Sequence, residues 1–460
     1  MVDDMPETTS TTLSENEKSE ILNSYGRHYS DTIVQYLKAG NLDLIERQRS
    51  GVKFSDACTG KDYIDAFGSA GCFNVGRSNQ AIIDALEQVS SAGDMGTSQL
   101  LSRHKIEFAK KLVSHSPGDL NRVLLSGGGG EAVDSALKLA KAATSRNEVV
   151  IMKLAYHGHS GFSVSASGKA NYKDPFEPLI PGFKMADFND LSSVQALASH
   201  KTAAIILEPL MGEGGVHAAT DEFLQGVRKL CDEKGIVLIF DEIQCGFART
   251  GKLWYSQHSG VVPDIMILAK SMSGGLFPNA AIVYRDIELL TQYVDKNPGF
   301  HSSCGGGSDI GCYVSGKVID FLVENNVAGN ARVQGDVIKQ GLMQLASENP
   351  NLIKEVRGVG MMLAIEYRYR FLGGVMAKTL ADNGVFAAYS GNAPQVMRFM
   401  LAPTITRQEA EEFLVRVRKA VDALIFLSKF MIPFSKLPFV GRLLDNEAAM
   451  ARIGSKLRRD

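Results

Sequence analysis

Short apolar runs, each closed by polar or glycine-rich residues, punctuate most of the chain. RVLLS, EVVIMKLAY, TAAIILEPL, GIVLIFDEI, PDIMILAKS and AAIVYRD are such runs, and amphipathic stretches such as DEFLQGVRKLCDEKG lie between them. A strand with one face in water alternates apolar and polar positions, whereas a strand apolar throughout is covered on both faces. From about Asn79 to Ala420 the pattern therefore predicts an α/β fold, with a mostly parallel sheet covered by helices. In such sheets ligands sit beyond the carboxyl ends of the strands. The residues that close each run are where chemistry is to be sought.

The flanks read differently. Residues 1–20 lack apolar periodicity and predict a mobile tail. A helical pattern runs from Ile21 to about Ile45, and KDYIDAFGSAGCFNVG reads as strand and turn. Residues 424–460, LIFLSKFMIPFSKLPFVGRLLDNEAAMARIGSKLRRD, interleave apolar residues with Lys and Arg. That extension reads as a docking helix over the protein's own surface, or as a segment for a membrane interface or a partner.

Composition narrows the function classes. Lys and Arg number 49 against 51 Asp and Glu, a formal charge of -2 in 460 residues, so no bulk attraction to nucleic acid is expected. Nothing approaches the roughly 18 unbroken apolar residues of a membrane span. The acidic, polar start resembles neither a signal peptide nor a transit peptide. Six cysteines without a CxxC pair are no disulfide framework, which points to the reducing cytoplasm. Glycine is frequent, 45 residues, and clustered, which draws attention to the loops.

Four strand ends carry candidate chemistry. GIVLIF delivers Asp241 and Glu242, with Gln244 three residues after Asp241; PDIMILA delivers Lys270. Asp241 and Lys270 are 29 residues apart (270 − 241), about one strand–helix–strand unit, so their ends can be neighbours. An acid or a lysine there is costly to bury unpaired, and a simple ion pair explains the two as well as catalysis does. SGGGGEAVDSALKLAK is a glycine loop opening a helix, a phosphate seat made of N–H groups and helix dipole. Read as GxGxxA from Gly127, Gly129 and Ala132, it suggests a dinucleotide, but the acid ~20 residues on is Glu148, which begins a strand. Tyr156, followed by His157 and Gly158, places an aromatic ring at another strand end. No acid or thiol is spaced to join His157 and His159 as metal ligands, so no metal is expected. Phosphate cradle, flat ring, carboxylate and lysine together are what pyridoxal phosphate requires.

These segments resemble the class III (omega-type) pyridoxal-phosphate aminotransferases. IILEPLMGEGG, IFDEIQCGFARTGKLW and PDIMILAKSMSGG are similar to that family's motifs in order and spacing, over about Asp65 to Ala420. FNVG, the EAVDSALKLAK helix and the PLIPGF turn resemble its putrescine-type diamine members most. The resemblance implies the fold of type I pyridoxal-phosphate transferases. A large domain would hold residues 80–315, with a seven-stranded-type sheet. A smaller α+β domain would join residues 21–79 to 316–423. It also implies a homodimer with the active site at the interface.

The same resemblance implies residue roles. Lys270 would form the internal aldimine, Asp241 pair with the pyridinium, Gln244 contact the ring hydroxyl and Tyr156 stack on the ring with His157 beside it. Gly129 and Gly130 would cradle the phosphate, Glu208 face the substrate, and Arg398 receive the carboxylate of an oxo acid such as 2-oxoglutarate. The implied activity is transamination from a diamine or omega-amino acid. A racemase, another biosynthetic enzyme on the same scaffold, or a non-catalytic cofactor-binding paralogue stays open. Two departures bear on the substrate. Gly127 to Gly130 stand where the family writes Asn-Ser-Gly-Thr, at a cost of about 1 kcal/mol per lost hydroxyl donor. Ser303 and Cys304 stand where relatives carry a Thr for the partner subunit's phosphate.

Overall fold

The computed structural model describes residues 12–96 and 100–435. Its first helix, Glu15–Tyr25, starts inside the stretch that sequence alone assigns to a tail. The start signal is local: the Ser14 hydroxyl accepts from the Glu17 amide, and the Glu17 carboxylate accepts from the Ser14 amide at 2.7 Å. None of its residues is buried, which is why apolar periodicity misses it. A wider turn over Gly26–Ser30 leads into helix Asp31–Ala39, and the chain becomes extended from Glu46.

Three short strands follow as an antiparallel meander: β1 (Glu46–Ser50), β2 (Lys53–Asp56) and β3 (Asp62–Asp65). The large sheet comprises β4 (Leu120–Ser126), β5 (Glu148–Met152), β6 (Phe183–Ala186), β7 (Thr202–Leu207), β8 (Val237–Asp241), β9 (Ile265–Leu268) and β10 (Ala280–Arg285). Their order is β4-β10-β9-β8-β7-β5-β6. All run parallel except β10, which is antiparallel to both β4 and β9. Its reversal has a use. Ala280 at the start of β10 pairs with Ser126 at the end of β4, so Leu276–Asn279 arrive at the edge where the parallel strands end. Strands β7, β8 and β9 are buried along their full length, as their unbroken apolar runs predict.

Strands β11 (Ile353–Val359), β12 (Met362–Tyr367), β13 (Val385–Phe386), β14 (Ala388–Tyr389) and β15 (Val396–Phe399) complete the fold. Four of them form a sheet ordered β11-β12-β15-β14, while β13 leaves to pair with β3 through Val385 and Ile64. Residues far apart in sequence, Ile64 with Leu363, Phe399, Phe413 and Leu424, thereby share one core. A fully buried guanidinium, Arg249, joins the half of the structure built on the large sheet to the half that carries β11–β15. It donates to the carbonyls of Met361 (3.2 Å) and Leu401 (2.5 Å) and to the Asn74 side chain.

Candidate active site

The carboxyl edge of the large sheet opens into a cleft of about 500 Å³, lined among others by Gly128–Gly130, Tyr156, Asp241, Gln244 and Lys270. Register explains the convergence: Asp241 lies beside Ile267 of β9, three residues before Lys270. Glu242 points away from this group. Its buried carboxylate accepts from the amides of Tyr255 (2.5 Å) and Ser256 (2.8 Å), and burial raises it to about 7.

Asp241 is held from two sides. Its Oδ1 accepts from the Ile243 amide (3.0 Å), and Oδ2 accepts from His157 Nδ1 (2.8 Å). A carboxylate only accepts, so the histidine carries its proton on Nδ1. Burial of His157 opposes its charge, but the bond and the charge of Asp241 outweigh it and raise its basicity. Lys270 is enclosed, and burial lowers its affinity for a proton, favouring the neutral amine that nucleophilic and proton-transfer chemistry requires. Its backbone is left-handed, φ +49°, an unfavourable conformation for a lysine that the surrounding cleft imposes.

Glu208, at the end of β7, borders the cleft, yet both its oxygens are spent on backbone: Oε1 on the Tyr156 amide and Oε2 on the Gly212 amide, each at 3.0 Å. Burial, reinforced by the charge of Asp241, raises it to about 7. It therefore fixes two loops that carry site residues. Gly212 in turn makes room for Gln244, since a Cβ there would lie 1.4 Å from Gln244 Oε1. The amide of Gln244 donates to the Ala70 carbonyl (3.1 Å), and its Oε1 is buried without a partner among the described residues. Tyr156 forms one wall, edge-on to His159 and Tyr172.

The glycine loop meets helix Gly129–Thr144 at Gly128, where no side chain caps the helix. Space here is uneven. A Cβ on Gly128 would meet nothing within 4 Å, whereas one on Gly130 would lie 2.9 Å from Ser160 Oγ. Glu131 folds back to accept from the Gly127 amide (2.8 Å). Its carboxylate also accepts from the Ser303 hydroxyl (3.2 Å), so Ser303 sits beside the loop but does not line the cleft. Cys304 is exposed and does not line it either. Glu148, the acid that a dinucleotide would need, pairs with Lys184 (2.7 Å) from the start of β5, the far end of the strand.

One carboxylate escaped the sequence reading. Glu213 lines the cleft and pairs with Arg398 Nη2 at 2.7 Å, its other oxygen accepting from the Gly391 amide at 2.8 Å. Arg398 is only 3% exposed against 16% for Glu213, and its Nε and Nη1 have no partner among the described residues. Cys72 and Phe73 also line the cleft, brought there by a turn with left-handed Ser69, Ala70 and Gly71. No strand or motif rule marks that turn beyond its glycines.

The sequence signature of the Aminotransferase class-III family matches residues 37–421. The chain belongs to the class III aminotransferases. This aminotransferase is 35% identical over 418 residues to the putrescine aminotransferase of Pectobacterium atrosepticum, covering 88% of this chain and 89% of that one. It is 33% identical over 397 residues to an uncharacterized aminotransferase of Archaeoglobus fulgidus, covering 86% and 92%. Among solved structures, the ornithine aminotransferase of Toxoplasma gondii crystallised with oxidised glutathione superposes with a TM-score of 0.78. The two share 27% identity over 84% of this chain and 92% of that one. That structure holds pyridoxal phosphate at partial occupancy in its active site.

Pyridoxal 5′-phosphate is the cofactor of such an enzyme, and the residues present fit it. An uncapped helix start suits the phosphate, the buried, unpartnered Gln244 Oε1 suits a hydroxyl donor, and the Asp241 carboxylate suits a protonated ring nitrogen.

Proposed function

We propose that this enzyme moves an amino group from a terminal diamine or omega-amino acid to an oxo acid such as 2-oxoglutarate or pyruvate. The observation that carries the choice of donor is the Glu213–Arg398 pair: the cleft presents a carboxylate, with the guanidinium behind it. The Glu213 carboxylate suits the distal ammonium of a diamine. Arg398, with Nε and Nη1 unspent among the described residues, suits the second carboxylate of an acceptor once Glu213 turns aside. Both Glu208 oxygens accept from backbone amides, so its assigned part is to position Tyr156 and Gly212.

When bound, the cofactor supplies an electron sink for the pair left behind as the amine-bearing carbon loses its proton. Lys270 is assigned to take that proton on Nζ and to hold it for return, a task that its burial-lowered proton affinity suits. Asp241 holds the ring-nitrogen proton, with His157 fixing the carboxylate. Gln244 accepts from the ring hydroxyl, Gly129 and Gly130 offer backbone to the phosphate, and Tyr156 walls the ring.

The assembly we infer is a homodimer, in which Ser303 and Cys304, outside this chain's cleft, reach the partner copy's phosphate. Six free cysteines support a cytoplasmic setting. A screen of amines, scored by conversion of the cofactor to its aminated form in wild type and Lys270→Ala, tests the reading. Diamines and omega-amino acids should convert the wild type only. Racemised amino acid without any oxo product would reject it.

A further inference from the structure

The helix Arg407–Ser435 runs past the end of the family match. The family match stops at residue 421, and the helix continues for 14 residues, about 21 Å at 1.5 Å per residue. This stretch has two faces. Val421 and Leu424 are buried in the core that spans β3, β12 and β15, and Ile425 and Ile432 pack against it. On the other side Phe426 is 61% exposed, Phe430 58% and Leu427 36%. The two phenylalanine rings, one helical turn apart, lie edge to face at 5.5 Å with no core beneath them. Exposed Lys429 stands between them.

Charge departs from the rest of the sequence over residues 424–460, of which 436–460 lie outside the described residues. Residues 424–460 carry seven cations (Lys429, Lys436, Arg442, Arg452, Lys456, Arg458 and Arg459) against three acids (Asp445, Glu447 and Asp460), in a protein whose formal charge is -2. An apolar strip beside an excess of Lys and Arg is the pairing that anionic bilayers select. The rings enter the headgroup boundary while each cation gains from the negative surface. Neither signal is strong alone, and membrane binding characteristically takes two. No helix among the described residues is long and apolar enough to cross a bilayer, so the helix end would lie in the plane of the surface.

We propose that the Phe426–Phe430 face, favoured by the net positive charge of the C-terminal sequence, docks this enzyme reversibly on an anionic membrane surface. The cleft is built from other elements, so docking places the enzyme without entering its chemistry.

Sedimentation of the full-chain holoenzyme with vesicles tests this, comparing phosphatidylcholine alone with phosphatidylcholine plus phosphatidylglycerol at low and high salt. Wild type should pellet with the anionic vesicles at low salt and be released by salt. The double variant Phe426→Ser/Phe430→Ser should lower the partition coefficient about tenfold, with the amine half-reaction unchanged. Lys429→Glu should weaken binding to anionic vesicles only. Equal pelleting of wild type and double variant overturns the proposal. So does a double variant whose mass in vesicle-free solution falls to that of a single chain, which would make the face an interface between copies.

Discussion

His157 Nδ1 lies 2.8 Å from Asp241 Oδ2, and both side chains are buried at the edge of the cleft. Together with the Ile243 amide on Oδ1, this bond holds the Asp241 carboxylate in place. Replacing His157 with Phe keeps a ring of similar size and removes the donor. A bond to a charged group is worth about 1.5–3 kcal/mol, so kcat should fall roughly 10- to 100-fold while KM for the amine stays near wild type. Steady-state kinetics check this. An unchanged kcat would mean that the Ile243 amide orients the carboxylate unaided.

Glu208 and Glu242 give stability a pH signature. Burial raises each to about 7 from an ordinary 4.5. The folded chain thus binds these protons more tightly than the unfolded chain does. The resulting stabilisation is complete below the unfolded value and is lost as pH rises through about 7. Thermal melts at pH 5 and pH 8 should differ by roughly 3 °C, with the lower midpoint at pH 8. Glu242→Gln should shrink that difference whatever it costs at either pH.

Two glycines should respond in opposite ways. A Cβ on Gly212 collides with Gln244 Oε1, so Gly212→Ala displaces the carboxamide and should speed cofactor loss on dilution at least about tenfold, the loss of one hydrogen bond of about 1.4 kcal/mol. At Gly128 there is room, and φ of −172° suits any residue. Gly128→Ser adds a hydroxyl donor beside the phosphate seat without crowding it. Cofactor loss should slow. Gly130→Thr, the substitution the family pattern suggests, meets Ser160 instead and should gain less. Absorbance of dialysed samples separates the three.

The Glu213–Arg398 pair predicts a split between half-reactions. Arg398→Ala should raise KM for 2-oxoglutarate roughly 10- to 100-fold and leave KM for a monoamine unchanged. Glu213→Gln should raise KM for diamines and, by releasing Arg398, lower it for 2-oxoglutarate. Should both variants shift the same substrate in the same direction, the two side chains do not divide the work as proposed.

Much of this site was legible because parallel strands announce themselves. Asp241 and Lys270 each close a run that is apolar throughout, and such a run has one place to go. Glu213 is not legible in the sequence, because its importance lies in Arg398, 185 residues away (398 − 213), and pairing across a fold leaves no local pattern. Glu208 was recognised as a site residue but not as a brace, since only coordinates reveal that both oxygens hold backbone. The helix at Glu15 buries nothing, so its sole trace was the Ser14–Glu17 spacing.

Arg249 ties cofactor retention to the seating of one half of the molecule on the other. Its guanidinium grips Met361, Leu401 and Asn74 just behind the turn that carries Cys72 and Phe73 into the cleft. Slippage between the halves breaks that grip and slackens the cofactor's enclosure in one motion. Leakage of the vitamin and the first stage of unfolding should then share a single activation barrier.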